Sequence, residues 1–407
     1  MYTPTALSIS AARQAILDAL SPVPESEAVA IDAGLGRVLH GDVIAPFDVP
    51  AHDNSAMDGY AVRGADLSSS QEVSLQQIGS AFAGKAFENE IQKGQCVRIM
   101  TGAVMPRGAD TVVVQEVCRV EGERVAIPAG QKSGQNVRAA GEDLKAGVPV
   151  LQPGQLLRAA EIGLIASLGI GAVEVKRRLR VAFFSTGDEL TSIGTPLETG
   201  QVYDSNRYTL HGMLSRLGVE IIDLGVVRDD PALLEAAFRK AAASADAIVT
   251  TGGVSVGEAD FVRQLMAKLG EVLFWKIAMR PGRPMAFGRI GDAMLFGLPG
   301  NPVAVMVTFY QFVRAALLFM SGTAGPGVPL LSAVSAQSIR KVPGRTEYQR
   351  GVLFDDGGVC KVRTTGQQGS GVLRSMSEAN CFIVLEHERG NVRPGETVRV
   401  QPFEGLA

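Results

Sequence analysis

A chain of 407 residues, 46% of them hydrophobic, is long enough for several domains, each with its own core. The formal net charge of −3 and the lack of any basic run give no reason to expect nucleic-acid binding, and His40, His52, His211 and His387 are too scattered for a zinc cluster. Cys96, Cys118, Cys360 and Cys381 form no CxxC pair and no basic-plus-apolar leader opens the chain, so a cytoplasmic location is expected; the most apolar run, residues 303–320, is interrupted by Gln311 and Arg314, so no membrane span is expected.

Residues 10–20 place Ala12, Ile16, Ala19 and Leu20 at helical spacing, and Pro22 and Pro24 stop them. A second helical stretch, 158–168, ends at Gly169. Between them, short β-rich runs such as Val97-Arg98-Ile99-Met100 and Thr111-Val112-Val113-Val114 alternate with glycine turns. The expected organisation is a helical base (1–46 and 146–178) with a β-rich domain inserted at 47–145. The insert carries Asp53-Asn54-Ser55-Ala56-Met57-Asp58-Gly59-Tyr60, Met100-Thr101-Gly102-Ala103 and Ala140-Gly141-Glu142-Asp143. Turn-forming Asp and Asn explain much of this, and an acid-lined cleft explains it as well.

From residue 179 to 324 the pattern becomes α/β. A strand at 181–184, a helix at 206–217 closed by Gly218, and a strand at 219–227 come first. Asp230-Pro231 reads as a cap and first helical residue, with Leu234, Ala237, Phe238 and Ala241 on one face. A strand at 247–251, a helix at 261–269, a strand at 293–298 and a helix at 301–320 complete the series. Such alternation implies a mainly parallel sheet covered on both faces, with ligands at the carboxyl ends of its strands. Residues 325–407 return to strands, at 347–354, 359–364 and 396–400, and form a small C-terminal β domain.

The turn after strand 247–251, Gly252-Gly253-Val254-Ser255-Val256-Gly257-Glu258-Ala259-Asp260, precedes a helix, where backbone N–H groups and the helix dipole receive anions. Gly252, Gly253 and Gly257 permit close backbone approach, and Ser255 adds a hydroxyl. Glu258 and Asp260 beside an anion call for Mg²⁺ between them, although Asp260 also fits a plain helix cap. The nearest approach to a P-loop, Gly130-Gln131-Lys132-Ser133, lacks its preceding glycine. Ser185-Thr186-Gly187-Asp188-Glu189-Leu190, Asp204-Ser205-Asn206 and Leu298-Pro299-Gly300-Asn301-Pro302 fall at strand ends of the same domain. Capping and tight-turn chemistry account for each singly; together they describe a nucleotide or phosphate pocket. Lys276, Arg280 and Arg283, restrained by Pro281, Gly282 and Pro284, supply positive charge, while Arg350, Ser370 and Arg374 are further donors.

With these pieces in order, and with Arg138-Ala139-Ala140-Gly141-Glu142-Asp143, Ala61 and Gly297 added, the chain resembles the molybdopterin molybdenumtransferase family, the MoeA and gephyrin C-terminal-domain group. The resemblance implies a multidomain α/β plus β fold: a helical base with an inserted β-rich domain, a three-layer α/β/α molybdopterin-binding domain and a C-terminal β-barrel. It implies a homodimer whose cleft combines both subunits, with adenylyl-molybdopterin and molybdate as substrates, AMP as product and Mg²⁺ as cofactor. Molybdopterin adenylyltransferase and molybdoenzyme maturation proteins are the partners it suggests; that adenylyltransferase activity itself, or a scaffold that keeps the fold, are the rival readings. Carried over by motif, Asp58, Thr101 and Asp143 come from the inserted domain, and Glu189, Asp229 or Asp230, Asp260 and Lys276 line the α/β pocket. Glu189 and Asp260 are the implied metal ligands. Gly252, Gly253, Ser255, Gly257, Pro299, Gly300 and Asn301 cradle the substrate, and Arg280, Arg283, Arg350 and Ser370 hold molybdate and the terminal phosphate. The family pattern has lysine at 280 or 283; arginine at both keeps the charge and offers a planar fork.

Overall fold

The apolar runs at 181–184, 247–249 and 293–298 lie side by side in one six-stranded sheet of the computed structural model, which describes residues 6–253, 265–323 and 329–403. The strand order is Glu220–Val227, Arg180–Thr186, Ala247–Thr251, Ala293–Leu298, Pro284–Ile290, Gly270–Lys276. The first four are parallel and in close register, Val181 opposite both Ile221 and Ala247, and Thr251 opposite Leu298. The last two are antiparallel, an edge that the sequence reading did not contain. Residues of one strand alternate between two cores, as a period of two requires. Val181, Phe183, Val249 and Phe296 pack with Leu210 and Leu214 of helix Ser205–Arg216. Ala182, Phe184, Ile248 and Leu295 pack with Leu234 and Phe238 of helix Pro231–Ser244. Helices on both faces make the three layers expected.

Helix Ile9–Ala19 is capped by Ser8, whose hydroxyl accepts the Ala11 amide at 3.1 Å, and it buries Ala12 and Ile16 in the first of these cores. Strand Ser26–Ala30 pairs antiparallel with Ala172–Lys176. The helical run Pro302–Met320 contains a π turn, Phe309–Val313, and is long and apolar enough to cross a membrane by length and composition, contrary to the expectation from Gln311 and Arg314. Its most apolar window is 67% buried inside the protein, as befits a core helix.

Five strands, Leu331–Ser335, Thr346–Asp356, Val359–Thr364, Cys381–Leu385 and Thr397–Pro402, close into a barrel because Thr346–Asp356 pairs with both Val359–Thr364 and Cys381–Leu385. Ala333, Val362, Ile383, Leu385, Val398 and Val400 form one barrel core, while Tyr348, Phe382 and Val384 join the core of the α/β sheet. The short strand Met279–Arg280 adds to the barrel in parallel, Met279 opposite Thr346 and Arg280 opposite Glu347.

The chain divides into two compact units, and all of the above belongs to the first: Met1–His40, Pro153–Ala159 and Ala172–Ala407. The second unit is Gly41–Gln152 with Ala160–Gly171. It holds a curled six-stranded sheet in the order Thr111–Val114, Gly59–Val62, Gln95–Ile99, Val73–Ala81, Arg124–Ile127, Arg119–Glu121. Its two small cores draw on opposite faces of the same strands, Tyr60 and Val62 with Leu75 and Ile127, Ala61 with Val97 and Ile99.

Candidate active site

The turns that follow three of the parallel strands meet around a cavity of about 540 Å³. Thr186, Gly187 and Glu189 come from the first, Gly252 and Gly253 from the second, and Pro299, Gly300 and Asn301 from the third. Gly252 has φ +90°, and a Cβ there would lie 2.2 Å from the Thr186 carbonyl oxygen, so only glycine lets the two turns touch. A Cβ on Gly187 would meet the Glu189 carboxylate at 2.6 Å. The Thr251 hydroxyl bonds the Ser185 hydroxyl at 3.1 Å, and the Asn206 Nδ2 donates to the Gly300 carbonyl at 2.7 Å. These cross-links fix the turns relative to one another. Asp204, Ser205 and Asn206, at the start of helix Ser205–Arg216, line the same cavity.

The pair Asp229 and Asp230 divides its work. Asp230 accepts the Ala232 and Leu233 amides at 2.9 and 3.0 Å and caps helix Pro231–Ser244. Asp229 accepts the hydroxyl of the cavity residue Thr186 at 2.7 Å, so it is the carboxylate tied to the site. Lys276 ends strand Gly270–Lys276 in register with Pro284, half-buried and outside the lining of the large cavity.

Two arginine-bearing cavities continue from the first. One of about 220 Å³ shares Pro284, Pro299 and Asn301 with it and adds Arg280, Arg283, Arg345 and Ser370. The next, about 270 Å³, shares Arg280 and Gln368 with the second and adds Glu347 and Arg350. Arg350 is 1% exposed; its Nε donates to the Ser375 hydroxyl at 2.9 Å and its Nη2 to the Gly369 carbonyl at 3.0 Å. Burial, reinforced by the Arg280 charge, pushes Arg350 down to about 10, so it stays a cation at neutral pH in an anchored position. The Ser370 carbonyl accepts the Val303 amide at 3.1 Å, satisfying one of the free N–H groups at the start of helix Pro302–Thr308.

In the second unit the sequence-predicted residues Asp58 and Thr101 meet: the Thr101 amide and hydroxyl donate to one Asp58 oxygen at 2.7 and 2.8 Å. The amide bond first, then the hydroxyl bond, lowers the Asp58 pKa below the ordinary carboxylate value. Asp143 is exposed, on a loop tied back by its own amide to the Val49 carbonyl at 3.1 Å and by the Ala140 amide to Asp53 at 2.8 Å.

Ser255, Gly257, Glu258 and Asp260 lie outside the described residues. Among the described residues no three acidic, histidine or cysteine side chains cluster as a metal site. Hard carboxylate oxygens are nevertheless what Mg²⁺ takes, and Glu189, on the cavity wall, is one such donor. Sequence reasoning missed Glu347, buried at 3% exposure among the arginines, because inside a strand run it carries no motif of its own. Asp204 and Asn206 were singled out with the cap alternative open; the structure gives Asp204 both places, cap and cavity wall.

A glycine-turn pocket at the carboxyl ends of parallel strands, with arginine-bearing cavities beside it, lies where a sheet of this kind takes its ligands and marks the chain as an α/β ligand-binding protein. Three family models match the chain in order: the MoeA N-terminal region (domain I and II) over residues 7–169, a probable molybdopterin binding domain over 182–318, and the MoeA C-terminal region (domain IV) over 332–403. The molybdopterin molybdenumtransferase of Haemophilus influenzae is 44% identical over 403 residues, 98% of this chain and 99% of its own. That of Bacillus subtilis is 34% identical over 384 residues, 92% of this chain and 89% of its own. The crystal structure of the molybdopterin biosynthesis moeA protein from Pyrococcus horikoshii OT3 is similar throughout, with a TM-score of 0.85 at 29% identity, covering 98% of this chain and 100% of that one. The chain belongs to the molybdopterin molybdenumtransferase (MoeA) family.

Proposed function

We propose that this protein is a cytoplasmic, homodimeric molybdopterin molybdenumtransferase. It takes adenylyl-molybdopterin and molybdate, cleaves the adenylate, inserts the metal into the dithiolene and releases AMP. The observation that carries this reading is a row of adjoining cavities that share lining residues. A cavity of about 540 Å³ walled by glycines, prolines and hydrogen-bonding side chains suits the heterocyclic substrate, and the neighbouring cavities, which carry Arg280, Arg283 and Arg350, suit oxyanions. The similarity to the molybdopterin molybdenumtransferases of Haemophilus influenzae and Bacillus subtilis over nearly the full chain supports the same activity. The single-domain adenylyltransferase alternative accounts for residues 182–318 alone and leaves the other two matched regions without a role.

In this reading the Gly252-Gly253 backbone lies against the phosphate because no side chain intervenes. Arg280 and Arg283, exposed and flanking Pro281 and Gly282, capture molybdate, and Arg350 adds a charge already desolvated and aimed by its hydrogen bonds. Lys276 and Asp229 act at the phosphoanhydride, Lys276 by charge and Asp229 through Thr186. Asp58, kept ionised by Thr101, is a proton acceptor, with Asp143 beside it in role. Mg²⁺, when bound, would neutralise the phosphoanhydride, with Glu189 and the sequence-predicted Asp260 supplying oxygen donors. Purified protein mixed with adenylyl-molybdopterin, molybdate and Mg²⁺ should release AMP, followed by chromatography; intact adenylate after prolonged incubation sinks the proposal.

A further inference from the structure

Two residues on the wall of the large cavity each carry a hydrogen-bond acceptor that receives no donor among the described residues. Asp204 is 2% exposed and Asn206 7% exposed, and both line the cavity. Asp204 uses Oδ1 to accept the Arg207 amide at 3.1 Å, which caps helix Ser205–Arg216; its Oδ2 is buried without a partner among the described residues. Asn206 donates through Nδ2 to the Gly300 carbonyl at 2.7 Å, which sets the orientation of the amide and leaves Oδ1 as the free end. That oxygen is also buried, and it has no partner among the described residues.

Buried acceptors are normally satisfied, so a pair of them on one cavity wall calls for a ligand that brings donors. Phosphate, molybdate and a carboxylate bring only acceptors, and Asp204 repels them. An adenine edge brings an amino donor next to a ring-nitrogen acceptor, which sets one lone pair against another. A 2-amino-4-oxopyrimidine edge brings a ring N–H beside an exocyclic amino group, donor next to donor. The described lining of this cavity includes no lysine or arginine, so recognition there runs on hydrogen bonds rather than charge neutralisation.

We infer that Asp204 and Asn206 are specificity-determining residues that receive the ring N–H and amino group of a pterin's 2-amino-4-oxopyrimidine edge, through Asp204 Oδ2 and Asn206 Oδ1. The inference rests on the pterin substrate proposed above and assigns the part of it that this wall reads. The helix cap and the Gly300 bond anchor the other end of each side chain, so only a small turn of the two free oxygens, which lie just beneath the cavity surface, is needed to meet the heterocycle.

The test is a fluorescence titration of the full chain with 2-amino-4-oxopteridine and with 2,4-dioxopteridine, which has the same size but an oxygen acceptor in place of the amino donor. The native protein should bind the amino compound tighter by about tenfold or more, because an unpaired buried acceptor is what rejects the analogue. Asp204→Asn keeps the cap, since asparagine caps as well as aspartate, and turns the free oxygen into an amino group; the preference should vanish or invert at unchanged thermal stability. Asn206→Ala should weaken the amino compound without helping the dioxo one. Equal binding of both compounds by the native protein, binding of neither, or a full preference retained in Asp204→Asn would overturn the assignment. AMP release by the native protein in that event would leave the proposed activity standing; a retained pteridine preference without AMP release would overturn the activity alone.

Discussion

Arg280 stands opposite Glu347 where strand Met279–Arg280 joins the barrel, and its Nη1 lies 3.8 Å from the Glu347 Oε1, beyond hydrogen-bond length. Arg345 Nε approaches the same oxygen at 3.6 Å, and that oxygen has no hydrogen bond among the described residues. A buried carboxylate thus sits as a loose counter-charge in the cavity that also holds Arg350. An arriving oxyanion meets this negative charge as well as the arginines. Glu347→Gln should raise molybdate affinity by about three- to tenfold at low ionic strength, a Coulomb effect of partly screened charges, and less in high salt. Isothermal titration checks it; weaker binding in the variant would mean that Glu347 serves the site by holding Arg280 in place.

At Gly252 backbone conformation and space both forbid a side chain. Its φ of +90° and the 2.2 Å approach of a Cβ to the Thr186 carbonyl oxygen set a backbone clash that no rotamer relieves. Gly252→Ala should cost about 3 kcal/mol or more, as disrupted special backbone positions do. Gly122, with φ +62° and nothing within 4 Å, should cost only about 1–2 kcal/mol as alanine. Denaturant melts of the two variants compare these directly, and equal costs would remove the case that the Gly252 turn is fixed by contact with Thr186.

Asp229 and Asp230 should separate under mutation. Asp230→Ala removes a cap, with an expected loss of about 1 kcal/mol and near-normal turnover. Asp229→Asn should leave the melting curve nearly unchanged while lowering turnover, since its bond is to the cavity residue Thr186. Paired melts and AMP-release rates decide, and turnover lost only in Asp230→Ala would reverse the assignment.

Asp58 carries a pH signature. Its folded pKa lies below the usual value, so the stabilisation it draws from Thr101 is present above that usual value and is lost as pH falls through the folded pKa. Thr101→Val removes the hydroxyl bond and keeps the amide bond, the larger cause, so the Asp58 pKa should rise only part of the way back. A carboxyl-carbon NMR titration of labelled aspartate reads this. An unmoved Asp58 titration would show that the hydroxyl bond is not made in solution.

How much of this was legible in the sequence depended on whether the signal was local. Val181 to Phe184 announce a buried strand by unbroken apolarity, and Asp230-Pro231 announces a helix start, so those elements fall where periodicity and capping put them. Gly270–Lys276 and Pro284–Ile290 did not read as strands, because the segment between them, with Arg280, Pro281, Gly282 and Arg283, reads as a basic turn, and only pairing on an antiparallel edge makes strands of its flanks. The site turns carried glycine and proline punctuation and were legible singly. Their meeting is tertiary: Gly252 touches Thr186, and Asn206 reaches Gly300, across gaps of chain that no local pattern spans. Glu347 and the unpaired oxygens of Asp204 and Asn206 required packing to become visible, since burial rather than residue type is what makes them unusual.

The most direct measurement is a single-turnover reaction of the purified protein with adenylyl-molybdopterin, isotopically labelled molybdate and Mg²⁺, with AMP and dithiolene-bound molybdenum quantified from the same samples. The expected result is that both appear together in equal amounts, and that both fall when Arg350 is replaced by lysine, which keeps a charge but loses the planar fork anchored to Ser375 and Gly369. AMP release without molybdenum incorporation, or no reaction of the native protein at all, would contradict the assignment of these adjoining cavities to metal insertion.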